Sequence, residues 1–219
     1  MEFLTQIING LSQGSIFALV ALGYSMVYGI TQLINFAHGD IIMVGAYATY
    51  VMLILAGTPL WAAILAAVLF CAVVGVVIEQ VAYQRLLNKN APRISLLITA
   101  IGVSMLLQNL FQLIFKSDAK SVSNVLPSFP VPIGPLEISS VTLITIATSV
   151  VIMILLQLLV KKTRIGKAMR ATSEDAGAAK LMGVSSRNTI AFTFAVGSGL
   201  AAVGAVLYVG AYPSITPYM

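Results

Sequence analysis

The chain has 219 residues, of which 59% are hydrophobic and 9% charged, whereas roughly 25% of the residues in a soluble globular protein are charged. Together with a mean hydropathy of +0.99, this composition excludes a soluble enzyme, a nucleic-acid-binding protein and a disordered tail. The net charge of +5 therefore indicates orientation in a membrane, not a nucleic-acid partner.

The first apolar stretch runs from Phe3 to Ala37 without a charged residue. As a helix it would be about 52 Å long, which is too long for one crossing of a roughly 30 Å hydrocarbon layer and too short for two. It therefore tilts strongly, begins as a flanking helix, or breaks within the membrane. Only Met1 and Glu2 precede it, with Glu2 the one charged residue, so the basic region of a cleaved secretory signal is missing and we expect the segment to be retained.

The second apolar stretch, Ile41–Ala56, is too short to cross the membrane, because its 16 residues reach only about 24 Å. It spans the hydrocarbon layer if it includes residues before Ile41. This places His38 and Asp40 at or inside the membrane boundary.

A polar stretch, residues 35–40, separates these two apolar stretches, and Gly29 and Gly39 allow the backbone to break around it. It can line a transport pathway or form a hinge, through Asn35, His38, Gly39 and Asp40. The alternative is a capping turn, in which Asp40 is the N-cap of the next helix and His38 lies at the membrane interface.

Three amides within apolar stretches, Gln13, Gln108 and Asn109, are further candidates for the pathway or hinge. Hydrogen bonds between packed helices are the commoner explanation for buried amides.

Four more apolar stretches are long enough to cross the membrane: Leu60–Ile78, Ile94–Phe115, Val141–Val160 and Thr189–Tyr212. Backbone groups in lipid must be hydrogen-bonded within helices or closed barrels, and these stretches are too long for barrel strands. The sequence therefore predicts an all-α, polytopic membrane bundle of about six transmembrane helices, forming a single transmembrane domain over residues 1–219.

The charges between the crossings predict their direction. Glu79–Arg93 carries three basic residues and one acidic residue, and residues 161–187 carry seven basic and two acidic residues, so both segments are expected in the cytoplasm. Residues 116–140 have balanced charges and four prolines, which predicts a largely non-helical extracytoplasmic loop. This arrangement places the N-terminus outside.

The residues needed for catalysis inside a membrane are scarce. His38 is the single histidine and Cys71 the single cysteine, so a histidine-based metal site, a cysteine cluster and an internal disulfide are excluded. No ionisable residue lies in the interior of the other predicted crossings, which disfavours a proton-coupled carrier. We therefore expect neither an enzyme nor a metal site.

Small residues recur at four-residue spacing in two of the apolar stretches. Gly10 and Gly14 form one such stripe, and Gly197, Ala201 and Ala205 form the other. This pattern indicates close helix packing, in a dense bundle or at a dimer interface.

The segment 161–187 predicts one short cytoplasmic helix of about ten residues, roughly 15 Å long. Thr172 or Ser173 is its expected N-cap, acidic residues occupy its first turn, and Gly183 ends it. A helix this short needs a docking surface. It rests either on the chain's own bundle or in a groove of a separate cytoplasmic protein, with Leu181 and Met182 as apolar contacts.

These features resemble the branched-chain amino-acid permeases of ATP-binding cassette importers over the whole chain. The residues that carry the resemblance are Gly10–Ser15, Ala18–Tyr24, Val27–Ile30, Ile34–Asp40, Glu79–Tyr83, Ser95–Gln108 and Arg164–Gly183. The resemblance implies a multi-pass protein of the bacterial inner membrane that moves branched-chain amino acids by alternating access.

The resemblance also implies partners: a second permease subunit, two cytoplasmic ATPase subunits and a periplasmic substrate-binding protein. It assigns the contact with the ATPase to a coupling helix containing Glu174, Asp175, Ala176, Ala179 and Gly183. The chain contains no phosphate-binding Gly-Lys-Ser/Thr loop, so no cofactor is expected on it and ATP would bind to the partner subunit.

Family members continue with further hydrophobic segments, so the resemblance predicts that this chain, which stops at Met219, is incomplete at its C-terminus. Relatives in the same family carry urea or short amides, which leaves such a permease as an alternative. A membrane scaffold that transports nothing is the alternative from a different class.

Overall fold

The computed structural model describes residues 2–32, 34–89, 91–122, 125–133 and 136–219. In chain order these contain α1 (Glu2–Thr31), α2 (Ala37–Tyr50), a π-helical turn (Val51–Leu55), α3 (Leu60–Ile78), a second π-helical turn (Glu79–Tyr83), α4 (Gln84–Asn88), α5 (Arg93–Phe115), β1 (Lys120–Ser121), β2 (Pro130–Ile133), β3 (Leu136–Ser139), α6 (Ser140–Lys162), α7 (Arg164–Glu174), α8 (Ala176–Leu181), α9 (Ser186–Ala211) and β4 (Ser214–Ile215).

Six helical segments of the described residues are long and apolar enough to cross a membrane. They are Phe3–Thr31, Ala37–Leu55, Leu60–Leu87, Ile94–Phe115, Ser140–Lys162 and Ser186–Ala211. This confirms the predicted all-α polytopic bundle. The strands within the described residues form two short antiparallel pairs, β1 with β4 and β2 with β3.

The first two crossings meet at a break in the helical backbone. α1 is a single helix of 30 residues, about 45 Å long, and α2 begins at Ala37, so the second crossing does include residues before Ile41. The break lies between these helices, where Gln32 has a positive φ of 54°. Gly29 and Gly39, which were expected to allow the break, both lie inside helices.

The third crossing is longer than the sequence predicted. Glu79–Arg93 was expected to be a cytoplasmic loop, but α3 continues through the second π-helical turn and α4 as far as Asn88. Nothing between Ile78 and Asn88 breaks a helix, since this stretch has neither glycine nor proline. Glu79 is consequently buried, with 1% of its surface exposed, and the expectation of no further ionisable residue in the crossings is wrong.

α9 is the centre of the bundle. In α9, 61% of the residues in the most apolar 18-residue stretch are buried. The corresponding shares are 17% in α5 and 11% in α6. The small residues of α9 permit close approach: a Cβ at Gly197 would lie 3.1 Å from the Gly23 carbonyl oxygen of α1, and Ala201 and Ala205 are fully buried. The second predicted stripe is therefore a packing surface, whereas Gly10 and Gly14 have no neighbour within 4 Å of an added Cβ among the described residues.

The described residues of the segment 116–140 are non-helical up to α6, as the prolines predicted. β1 pairs with β4, which follows α9, and so ties this segment to the end of the central helix. The Ser140 side chain stabilises the start of α6, because its hydroxyl donates to the Pro127 carbonyl (2.6 Å) and accepts from the Phe129 N–H (3.1 Å). Residues 123–124 and 134–135 of the predicted loop lie outside the described residues.

Candidate functional site

A buried polar cluster surrounds the break between α1 and α2. Asn35 and His38 are 3% and 2% exposed. The Asn35 side-chain oxygen accepts from the Tyr83 hydroxyl (2.7 Å) and from the Ala37 backbone N–H (3.1 Å). Asn35 therefore caps the start of α2 and at the same time binds the third crossing.

Asp40 and His38 lie in the first turns of α2 and contact other crossings. Gln108 of α5 donates through Nε2 to Asp40 Oδ1 (2.8 Å), and the His38 ring lies edge-on to the Tyr24 ring of α1, with 5.8 Å between centroids. Asp40 is not the N-cap, because Phe36 occupies that position and the cap bond comes from Asn35. His38 is not at an interface either, since the bundle covers it.

Four buried polar atoms in and beside this cluster have no hydrogen-bond partner among the described residues. They are Asn35 Nδ2, His38 Nε2, Asp40 Oδ2 and Glu79 Oε2. An unsatisfied buried polar group costs about 1–3 kcal/mol, and such groups mark places where water, a ligand or a second conformation supplies the partner. Because these atoms are unpaired and lie beside a helix break, the side chains of the cluster can exchange hydrogen-bond partners when the helices move.

The other residues expected in the pathway or hinge lie apart from this cluster. Gly39 is an exposed position of α2. Asn109 is exposed on α5, where its side-chain nitrogen donates to the Met105 carbonyl (2.7 Å) of the same helix. Gln13 lies ten residues before Gly23 on α1, about 15 Å away along the helix, and its side-chain nitrogen donates to the Tyr212 hydroxyl.

Sequence reasoning did not identify Glu79 and Tyr83 as members of the cluster. They are four residues apart on one helical segment and both are buried. Glu79 was assigned to a loop because a charge follows the apolar stretch. The sequence did contain a pattern that could have identified them. Gly75, Glu79 and Tyr83 follow one another at four-residue spacing, which places them on one face of a continuing helix.

The segment 161–187, expected in the cytoplasm, forms two helices instead of one. Thr163 caps α7 by accepting from the Gly166 N–H (2.9 Å). Asp175 caps α8 by accepting from the Gly177 N–H (2.8 Å) and the Ala178 N–H (3.0 Å).

The predicted caps, Thr172 and Ser173, are wrong, because both lie inside α7. Their positions belong to α7, a helix that the sequence did not predict, in which Thr172 is 4% exposed and packs inward. Gly183 does end α8, with a φ of +82° that glycine adopts without strain.

The five residues assigned to the coupling helix occupy the junction of α7 and α8. Glu174 is the last residue of α7, Asp175 is the cap, and Ala176 is the first residue of α8. Ala179 is buried at 4% exposure, whereas the next apolar side chains, Leu181 and Met182, are 90% and 85% exposed. The end of α8 therefore presents two exposed apolar side chains beside the turn at Gly183.

The described residues form an all-α bundle with six apolar crossings, which is the architecture of an integral, multi-pass membrane protein. A polar break separates the first two crossings, and short helices connect the last two. The family of branched-chain amino acid transport system permease components matches residues 6–219. The chain belongs to this family.

Named relatives cover nearly the whole chain. It is 39% identical over 228 residues to the high-affinity branched-chain amino acid transport system permease protein BraD of Pseudomonas aeruginosa, covering 99% of this chain and 74% of the relative. It is 36% identical over 232 residues to the corresponding protein LivH of Escherichia coli, covering 100% and 74%.

A more distant relative is the probable branched-chain amino acid transport permease protein LivH of Methanocaldococcus jannaschii, 28% identical over 194 residues, covering 86% of this chain and 61% of the relative. No solved structure matches the chain. The relatives are transport subunits, which agrees with the expectation that this chain is not an enzyme.

Proposed function

We propose that this chain is a permease subunit of an ATP-binding cassette importer that moves branched-chain amino acids across the bacterial inner membrane by alternating access. The observation that carries the proposal is the identity of 35–39% to permeases of that name over 99–100% of this chain. The partners would be a second permease subunit, two cytoplasmic ATPase subunits and a periplasmic substrate-binding protein.

The exposed end of α8 supports the proposed contact with an ATPase. Leu181 and Met182 are almost fully exposed on a segment with a net positive charge, where nothing in this chain gives them an apolar partner among the described residues. Exposed apolar side chains on a small protruding element are typical of a surface that a partner covers. ATP would bind to that partner.

The buried cluster supports a route by which motion of α7 and α8 reaches the membrane helices. α8 leads through Gly183 into α9, whose Phe194 ring lies 5.6 Å from the Tyr83 ring. The Tyr83 hydroxyl holds Asn35 and with it the start of α2. Asp40 of α2 then joins Gln108 of α5, so a displacement of α9 changes the positions of two other crossings.

The small number of charged residues in the crossings fits an amino-acid substrate. A zwitterion with an apolar side chain requires hydrogen-bonding groups and apolar surface but no fixed net charge in the pathway. A urea or short-amide permease would share this architecture, and a membrane scaffold would not require an ATPase.

The test is ATP-dependent uptake of radiolabelled leucine and urea by vesicles that contain this permease with its neighbouring subunits and binding protein. We expect uptake of leucine, and competition by isoleucine and valine. Uptake of urea without leucine would keep the architecture and overturn the substrate. Uptake of neither by a folded complex that also fails to bind an ATPase would favour the scaffold.

A further inference from the structure

A polar groove lies at the opposite end of the bundle from α7 and α8. It has a volume of about 260 Å³, just below the roughly 300 Å³ at which typical ligand pockets begin, and is therefore suited to a small molecule. Its polar lining consists of Asn9, Ser12, Gln13, Thr142 and Tyr212. All five side chains are hydrogen-bonding groups without a net charge.

Two helix ends of opposite polarity meet at this groove. Thr142 lies in the first turn of α6, which no side chain caps, and Ala211 is the last residue of α9; both line the groove. The N–H groups of the first turn and the carbonyls of the last turn have no partner within their helices, and of those N–H groups Ser140 donates to the Phe129 carbonyl (3.0 Å). The α6 end therefore attracts negative charge and the α9 end attracts positive charge.

Two largely buried residues of the groove carry hydroxyls whose hydrogen-bonding capacity is unused. Ser12 and Thr142 are each 8% exposed and line the groove, and neither hydroxyl has a hydrogen-bond partner within the described part of the chain. Gln13 and Tyr212 by contrast bind each other. Both hydroxyls are accessible from the groove, so both are free to bind a ligand there.

We propose that this groove binds the charged backbone of a zwitterionic α-amino acid on its way into the bundle. The carboxylate lies at the N-terminus of α6 and accepts from the Thr142 and Ser12 hydroxyls, and the ammonium lies at the C-terminus of α9 beside the Tyr212 and Gln13 oxygens. Ile16, which also lines the groove, faces the apolar side chain. The assignment deepens the proposed function and rests on it.

The chemistry of the groove separates a zwitterion from other substrates. Urea carries no charges, so the two opposite helix ends would give it little advantage. The larger cavity between α2, α3 and α5, about 500 Å³, is lined by apolar and aromatic residues such as Phe70, Phe111 and Phe115. Among the residues that line this cavity, Tyr47 alone carries a hydroxyl, whereas the groove has five uncharged polar side chains available to the charged backbone.

Thiol protection tests this proposal in the assembled transporter. Ser12→Cys places a thiol in the groove, and the native Cys71 is fully buried, so a membrane-impermeant maleimide added from outside reports on the new thiol. Leucine at ten times its dissociation constant should slow labelling about tenfold, because about one site in eleven stays empty. Leucinamide, which lacks the carboxylate, and 4-methylpentanoate, which lacks the ammonium, should protect less than leucine at the same concentration.

Phe129→Cys is the matched control, because Phe129 is 55% exposed in the segment before α6 and does not line the groove. Its labelling should not respond to leucine. Unchanged labelling of the Ser12→Cys thiol in a complex that still imports leucine would overturn the groove and leave the proposed function intact. Equal protection by both analogues would overturn the zwitterion assignment. A wild-type complex that imports no leucine would overturn the proposed function, which makes the two failures distinguishable.

Discussion

The break between α1 and α2 and the junction between α7 and α8 are both capped helix starts, yet they differ in what surrounds the cap. Asn35 caps α2 inside the bundle and binds Tyr83 of another crossing. Asp175 caps α8 in the open, and its side-chain acceptor bonds stay within α8. The side-chain cap of α2 therefore also holds two crossings together, whereas the side-chain cap of α8 stabilises only that short helix.

This difference predicts that changes at the first region alter folding, while changes at the second alter binding to a partner. The largest effect is expected for Asn35→Ala, which removes the acceptor of both the Ala37 N–H and the Tyr83 hydroxyl. The loss should be about 2–4 kcal/mol of unfolding free energy, from one cap and one buried hydroxyl left without a partner. Denaturant unfolding of the purified protein in lipid nanodiscs measures it.

Asn35→Asp is the control, because it keeps the side-chain oxygen that accepts both bonds. It should retain more of the stability than the alanine variant. If Asn35→Ala unfolds like the wild type but no longer supports uptake, the cluster acts in transport. The expected contribution of Asn35 to folding stability would then be wrong.

An intermediate effect is expected for the double change Leu181→Ser and Met182→Ser. Both side chains are exposed, so the stability of the isolated permease should change by less than about 0.5 kcal/mol. Affinity for the ATPase, measured by copurification and titration, should fall about tenfold or more, as expected when central apolar contacts of an interface are removed.

Ile165→Ser on α7 serves as the matched control for that change, since Ile165 is also exposed, at 45%, but lies away from the end of α8. It should leave affinity for the ATPase near the wild-type value. Equal losses in both variants would indicate a general effect of surface polarity instead of a specific contact.

The smallest effect is expected for Gly183→Ala. The positive φ of Gly183 costs a residue with a Cβ about 1 kcal/mol, and the strain falls on α8, so global stability should barely change while ATPase-coupled uptake is reduced. Gly183→Asn should be milder, because asparagine tolerates this backbone region. Loss of global stability in Gly183→Ala would show that α8 is as tightly joined to the bundle as α2.

The crossings were predictable because local composition marks them. α5 and α6 lie within two residues of their predicted limits at each end, and α3 was placed correctly as far as Ile78. The error at Glu79 arose from treating a charge as the end of a crossing, although a helix ends only where its backbone hydrogen bonds end. Burial of that carboxyl depends on α9, about 110 residues away in sequence, and no local pattern encodes it.

The candidate site was only partly predictable for the same reason. The polarity of residues 35–40 marked the cluster, but its partners Tyr83 and Gln108 come from other crossings. Gln13 was selected as an isolated amide, while its partner Tyr212 lies 199 residues later. The cap of α8 was misplaced because serine, threonine and aspartate are all good caps, and the choice among them follows from packing of α7 against the bundle.

The central position of α9 has a consequence for biogenesis. Ribosomes deliver this helix after the other five crossings, and membrane helices insert before they associate. Until it arrives, Gly23 and Gly45 lack the α9 atoms that lie nearest to them in the folded protein. We therefore expect the first five crossings to be loosely packed in the membrane until α9 inserts. During that interval the nascent chain would be open to quality-control proteases.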